Sequence, residues 1–177
     1  MAIESERLIL RELTAEDASG MFKMDSDPEV HKYLGNKPVK SIEQSIRDIE
    51  FIRNQYRENG IGRWAVILKS TGEFIGWSGL KLISESINGQ TNYYDVGYRF
   101  IREYWGKGYA TESAKTAINF AFEVLKAPEV IGLANVKNLG SIHVLEKLGL
   151  KKRSVFDYDG EPHHWMSIKN EVRQIPN

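Results

Sequence analysis

The spacing of apolar residues changes several times along this chain, and each change marks an element. Between Arg7 and Glu12, Leu8 and Leu10 alternate against Arg7, Ile9 and Arg11, which predicts a short strand. Thr14 with Asp17 forms a capping-box start for a helix running toward Met24. Asp27-Pro28-Glu29 puts proline in a first helical turn and predicts a short segment ending near Gly35. Ser41 and Gln44 form a second capping box, and Ile42, Ile46, Ile49, Ile52 and Tyr56 recur at spacings of 4, 3, 3 and 4, one apolar stripe facing the core.

From Arg63 the period drops to that of strands. Trp64 to Leu68, a turn at Ser70-Thr71-Gly72, and Glu73 to Leu80 read as a hairpin. A polar loop from Ser84 to Thr91 leads into the aromatic-rich strand Asn92 to Phe100, where Gly97 marks a bulge or a close ligand approach. Ala110, Ala114, Ala117, Ile118, Ala121, Phe122 and Leu125 form a helical stripe of small residues, ended by Pro128. Val130 to Val136 is a strand, Asn138 to Leu148 a helix ended by Gly149, and Leu150 onward a strand turning at Asp159-Gly160 into Trp165 to Ile168. The order is β-α-α-β-β-β-α-β-α-β-β, with no internal repeat, low-complexity tract or linker. One domain over residues 1–177 is expected.

Composition narrows the classes. Twenty-four basic residues balance twenty-four acidic ones, so no global field draws the chain to nucleic acid or to an anionic membrane. No apolar run approaches about 18 residues and the first residues lack a signal-peptide form, so a cytoplasmic location is expected. With no cysteine, disulfides, thiolate nucleophiles and thiolate metal sites are out. His163-His164-Trp165 resembles a metal cluster, but adjacent strand residues face opposite ways, and no metal site is expected. Trp77, Tyr93, Tyr94 and Tyr98 either line a groove or fill the core, while His31 and His143 have no partner visible in the sequence.

The chemistry concentrates in Tyr104-Trp105-Gly106-Lys107-Gly108-Tyr109-Ala110-Thr111-Glu112, between a strand and a long helix. Two glycines free the backbone to bring consecutive amides onto one anion, and the helix that follows aims its positive end at the same place. Neither of two commoner phosphate motifs fits. A Walker loop needs glycine where Ile101 stands and Ser or Thr where Gly108 stands, and a dinucleotide fingerprint needs glycine at Thr111.

Four separated blocks then carry a resemblance to the GNAT superfamily of acetyl-CoA-dependent N-acetyltransferases, and within it to the RimJ/RimL-type branch. Arg7-Leu8-Ile9-Leu10-Arg11 with Glu16-Asp17 resembles the branch's opening, and Asp27-Pro28-Glu29-Val30 its acceptor-side helix. Tyr104 to Glu112 resembles its acetyl-CoA loop, and Asn138 through Ser141 to Leu148-Gly149 its second signature. The resemblance implies an α/β (α+β) fold: a mixed, mostly antiparallel central sheet, helices on both faces, and a splayed middle-strand pair that takes the pantetheine arm. It also implies pyrophosphate on the amides of Gly106, Lys107, Gly108, Tyr109, Ala110 and Thr111, apolar pantetheine contacts from Phe100 and Ile101, a cofactor contact from Asn138, and no metal. Two departures stand out. Glu103 occupies a position where many members carry Gln or Arg, and Leu145 one where many carry the tyrosine that protonates the leaving thiolate.

For the reaction, backbone NH groups near Gly97 to Phe100 are the expected oxyanion donors, Asp95 or Glu112 the candidate base, and Ser141 the stand-in acid. Glu112, in a first helical turn, has an equally good structural use. A site without a strong base suits an α-amine, with pKa of about 8, over a lysine side chain near about 10.4. The leading expectation is therefore acetyl transfer to a protein or peptide N-terminus, of the ribosomal-protein-alanine type. A small amine such as a polyamine, amino acid or aminoglycoside, or a non-catalytic acyl-CoA-binding protein, are the alternatives. A homodimer through an exposed strand edge near the C-terminus is compatible with the pattern.

Overall fold

Leu8 and Leu10 are both fully buried, as their alternation predicts, on a strand that lies near one end of a single mixed sheet. The protein is described here by a computed structural model covering residues 2–171. Its strands are β1 (Ala2–Glu4), β2 (Leu8–Glu12), β3 (Arg63–Leu68), β4 (Phe74–Ile83), β5 (Tyr93–Phe100), β6 (Glu129–Asn135), β7 (Lys151–Tyr158) and β8 (Glu161–Lys169). They lie in the order β1-β2-β3-β4-β5-β6-β8-β7. Every pair is antiparallel except β5 with β6, which is parallel.

The helices are α1 (Ala18–Asp25), α2 (Pro28–His31), α3 (Ile42–Asn59), α4 (Tyr109–Glu123) and α5 (Leu139–Lys147). Strand alternation sorts the core into two layers. On one face Leu10, Val66, Leu80, Val96 and Phe100 pack with Ala114, Ala117 and Ala121 of α4 and with Ile142 and Leu145 of α5. Those three alanines are completely buried, which lets α4 lie close on the sheet. On the other face Ala65, Ile67 and Ile101 pack with Met21 and Met24 of α1, Val30 of α2 and Ile49 of α3.

Several local expectations need revision. The Thr14–Asp17 box forms, with the Thr14 NH donating to Asp17 at 2.8 Å, but it opens a 3-10 turn before α1. The Ser41–Gln44 box does not form, and Ser41 makes no side-chain cap bond to α3. Only part of the α3 stripe is core: Ile49 is buried and Ile52 packs against the same cluster, whereas Ile42 and Ile46 stay 38% and 46% exposed. Helix α4 stops at Glu123, ahead of Pro128, and the chain turns through Lys126 at a φ of 53°. Strand β1 was not foreseen, since three half-exposed residues carry no period.

Gly97 forms no bulge, because β4 and β5 pair without interruption from Gly76↔Phe100 to Ile83↔Tyr93. A Cβ there would come within 2.7 Å of the Arg63 guanidinium, so the glycine makes room for an arginine. Gly76, at the far end of this pairing, is tighter still: an added Cβ would lie 2.2 Å from the Arg99 carbonyl oxygen, a main-chain atom that cannot swing away. Gly76→Ala is therefore expected to lower the stability of the fold by about 1–3 kcal/mol, read as a lower urea midpoint.

Candidate active site

The parallel pair at the middle of the sheet is short. Strands β5 and β6 are joined only at Tyr94↔Val130 and Asp95↔Ile131, and beyond Asp95 they diverge. Past that point β5 keeps its ladder to β4 and β6 its ladder to β8, so each offers its other edge to a gap. A gap bounded by two strand edges presents main-chain NH and C=O groups that an extended, amide-bearing chain can satisfy.

The glycine loop lies just past the end of β5. Gly106 and Gly108 adopt φ of 72° and 81°, the left-handed region, and Gly108 is the N-cap of α4. Gly106, Lys107 and Gly108 are exposed, and the first-turn amides of Tyr109, Ala110 and Thr111 belong to the positive end of the helix. The Trp105 indole NH donates to the Phe100 carbonyl at 2.8 Å and ties the start of the loop to the end of β5. The Lys107 ammonium sits 5.3 Å from the Tyr104 ring centre.

Behind the loop stands an arrangement that no short-range pattern announced. Glu112 accepts from the Ser5 hydroxyl at 2.6 Å, the Arg7 backbone NH at 2.8 Å and Arg7 Nε at 2.7 Å. The same guanidinium donates to the Lys107 carbonyl at 3.0 Å and covers the Tyr109 ring at 4.5 Å. Partial burial pushes the Glu112 carboxyl up, but the bonds from Ser5 and Arg7 outweigh it and hold the group below its ordinary value. Both oxygens are engaged, so Glu112 serves as a lock between the segment before β2 and the helix that carries the loop. Taking up a proton would weaken the bonds from Arg7 and Ser5, which opposes use of the group as a base.

Asp95 lies where the strands part, on the face opposite α4. Its carboxylate is bonded by the Arg63 guanidinium, which also donates to the carbonyls of Gly79 and Asp95, each at 2.5 Å. Burial pushes the Asp95 carboxyl above its ordinary value against the pull of Arg63. The Trp77 ring meets both Arg63 and Arg99, with guanidinium carbons 5.5 and 5.1 Å from its centre. Arg99 bonds the buried Asp25 at 2.8 Å, and Asp25 also holds His31 at 3.4 Å.

Across the gap, Asn138 caps α5 by accepting from the Ser141 NH at 3.2 Å. The Tyr98 hydroxyl donates to the Ser141 carbonyl at 3.0 Å and lies 3.2 Å from Ser141 Oγ. Leu145, one turn on, is 1% exposed and belongs to the core.

The predicted residues thus divide into groups. Gly106 to Thr111 come together as one loop and helix start, and Asn138 and Ser141 share the first turn of α5. Phe100 and Ile101 bury their side chains on opposite faces, 4% and 6% exposed, at the end of β5 beside the gap. Glu103 is paired with Lys23. His163 and His164 pair with Asn135 and Ala134 at successive register positions, and the described residues contain no group of three potential metal ligands. Arg7, Ser5, Arg63 and the reach of Tyr98 were missed. Arg7 stood in a noted block, but its partner lies 105 positions away.

Residues 7–151 match the family described as acetyltransferase (GNAT) domain. The chain is 33% identical over 156 residues to the "Uncharacterized N-acetyltransferase p20" of Bacillus licheniformis, covering 88% of this chain and 85% of that one. It is 26% identical to the spermidine N(1)-acetyltransferase of Escherichia coli, across 93% of this chain and 80% of the relative. The crystal structure of the ribosomal-protein-S5-alanine acetyltransferase from Vibrio fischeri superposes with a TM-score of 0.77 at 20% identity, covering 99% of this chain and 100% of the other, and so shares the fold. No helix among the described residues is long and apolar enough to cross a membrane.

The lock has a pH signature. A carboxyl held below its ordinary value stabilises the fold above the unfolded-state pKa of about 4.3, and that contribution is lost as pH falls through the folded-state value. Glu112→Gln is therefore expected to cost about 1–2 kcal/mol at pH 7, with the deficit against the parent shrinking in urea melts below about pH 4.

Proposed function

The chain belongs to the acetyltransferase (GNAT) family and is an N-acetyltransferase, and from that premise we propose that it moves the acetyl group of acetyl-CoA to an α-amine such as a peptide N-terminus. The residues present fit acetyl-CoA. The amides from Gly106 to Thr111, at the exposed loop and the positive end of α4, suit its pyrophosphate, with Lys107 and Arg7 adding positive charge, and the diverging edges of β5 and β6 suit its pantetheine amides. Asn138, whose side chain caps α5 through the Ser141 NH, is the further cofactor contact on that side. Acetyl-CoA supplies an activated thioester; the chain supplies position, charge stabilisation and proton management.

In the transfer a C–N bond forms to the thioester carbonyl carbon, the C–S bond breaks, the amine loses a proton and the thiolate gains one. The free edge of β5 between Gly97 and Phe100 offers main-chain donors for the oxyanion. Ser141, in the first turn of α5, is the proton donor for the thiolate.

The observation that carries the choice of acceptor is the state of the two candidate bases. Glu112 is held by Arg7 and Ser5, and Asp95 by Arg63, so neither stands free to strip a fully protonated amine. The acceptor must reach the site already neutral in useful proportion, or lose its proton to water. An α-amine with pKa of about 8 meets that condition and a side-chain amine near about 10.4 does not.

Two measurements test this reading. Acetyl-CoA and CoA, but not ATP or NAD, are expected to raise the melting temperature, a ligand at about 100 times its Kd adding roughly 2.7 kcal/mol. CoA release is then followed with N-terminal peptides, spermidine and free lysine between pH 6 and 10. Peptides are expected to lead, with a rising limb that tracks the pKa of the acceptor when the N-terminal residue is changed. A limb fixed at one pH for all acceptors would mean an enzymic base, and faster turnover of spermidine at neutral pH would mean a small-amine enzyme.

A further inference from the structure

The position on α5 where the resemblance places an acidic phenol is Leu145, 1% exposed and packed so tightly that its Cδ2 would lie 2.8 Å from a Cβ built on Gly132. A phenol nevertheless arrives at the start of the same helix from the other side of the gap. Tyr98 is rooted on β5, its ring packs against the α4-side core, and its hydroxyl meets Ser141 at both the carbonyl, 3.0 Å, and Oγ, 3.2 Å.

We infer that Tyr98 is a positioning residue that acts through Ser141, relaying a proton so that the departing thiolate takes the hydrogen of Ser141 while Ser141 recovers one from the phenol. This rests on the acetyl-transfer reading and adds to it the source of the second proton. The balance is closed. The S–H bond forms as the Ser141 O–H breaks, the new Ser141 O–H forms as the Tyr98 O–H breaks, and the phenolate regains its proton from water. A serine hydroxyl alone is a poor acid, and transfer concerted with a phenol avoids leaving an alkoxide. Burial raises the phenol well above its ordinary value against the pull of the Ser141 bond, which weakens it as a free acid, so it yields its proton only in concert with the loss from Ser141. Because Tyr98 now donates to the Ser141 carbonyl, the relay needs only a small rotation of its O–H toward Oγ, which is already within hydrogen-bond distance.

The test is a double-mutant cycle on purified enzyme with acetyl-CoA and the best peptide acceptor. Tyr98→Phe keeps the ring and removes the hydroxyl; it is expected to lower kcat by about 100-fold, the lower end of what a positioned acid supplies, while KM for acetyl-CoA and the melting shift with CoA stay unchanged. Ser141→Ala is expected to lower kcat similarly, and the double variant to fall no further than Ser141→Ala within about twofold, since the two hydroxyls act as one unit. Wild-type kcat in Tyr98→Phe, or losses that multiply in the double variant, would overturn the relay. Should Tyr98→Phe not fold, full kcat in Ser141→Ala overturns it equally. Full turnover in these variants leaves the acetyl-transfer reading intact, whereas a parent enzyme that releases no CoA with any amine overturns both.

Discussion

The parallel pairing of β5 and β6 ends after two residue pairs, and the rest of the site follows from that early parting. Two strands with complementary patterns would normally extend their ladder, since each unpaired main-chain group out of water costs free energy. Here both are held by other neighbours: β5 by eight register pairs with β4, β6 by seven with β8. The Trp105 indole further anchors the exit of β5 by bonding Phe100, and α4 begins from a loop fixed through Arg7. The gap is thus maintained by surrounding pairings and stays available to a ligand that carries its own amides.

Arginines decide what the carboxylates can do. Glu112, Asp95 and Asp25 are each held by one, namely Arg7, Arg63 and Arg99, the last two both against the Trp77 ring. Such partly buried pairs contribute modestly to net stability, because the desolvation of both partners offsets much of their attraction. What they do secure is geometry: Arg99 and Asp25 tie the α1–α2 arm to the same strand that borders the gap, and Arg7 and Glu112 tie β2 to the helix behind the phosphate loop. The consequence is a site with strong electrostatic positioning and little spare basicity.

How much of this was legible in the sequence depends on the range of the interaction. The glycine loop and the small-residue face of α4 were legible because both are written in consecutive or periodic positions, and the left-handed φ at Gly106 and Gly108 follows from residue type. The caps at Thr14 and Asn138 were legible for the same reason. What escaped were partners far apart in the chain: Glu112 with Ser5 and Arg7, Asp95 with Arg63, Tyr98 with Ser141. Gly97 illustrates the difference. Its type announced a need for space, but only the fold could show that an arginine fills it. The stripe on α3 failed for a related reason, since periodicity marks a face and cannot say how far along the helix a neighbour extends.

Strand alternation gives β5 one further property. Tyr94, Val96, Tyr98 and Phe100 face α4 and α5, while Tyr93, Asp95, Gly97 and Arg99 face the helical arm. A single strand therefore carries the phenol that meets Ser141 on one side and the paired carboxylate and arginine on the other. In the acetyl-transfer reading this separates the two proton problems in space. The leaving group is served from the face of α5, while the opposite face carries the arginine-held carboxylates Asp95 and Asp25. An acceptor amine of low pKa then fits the arrangement better than a stronger base would, because the strand has invested its carboxylate in holding Arg63.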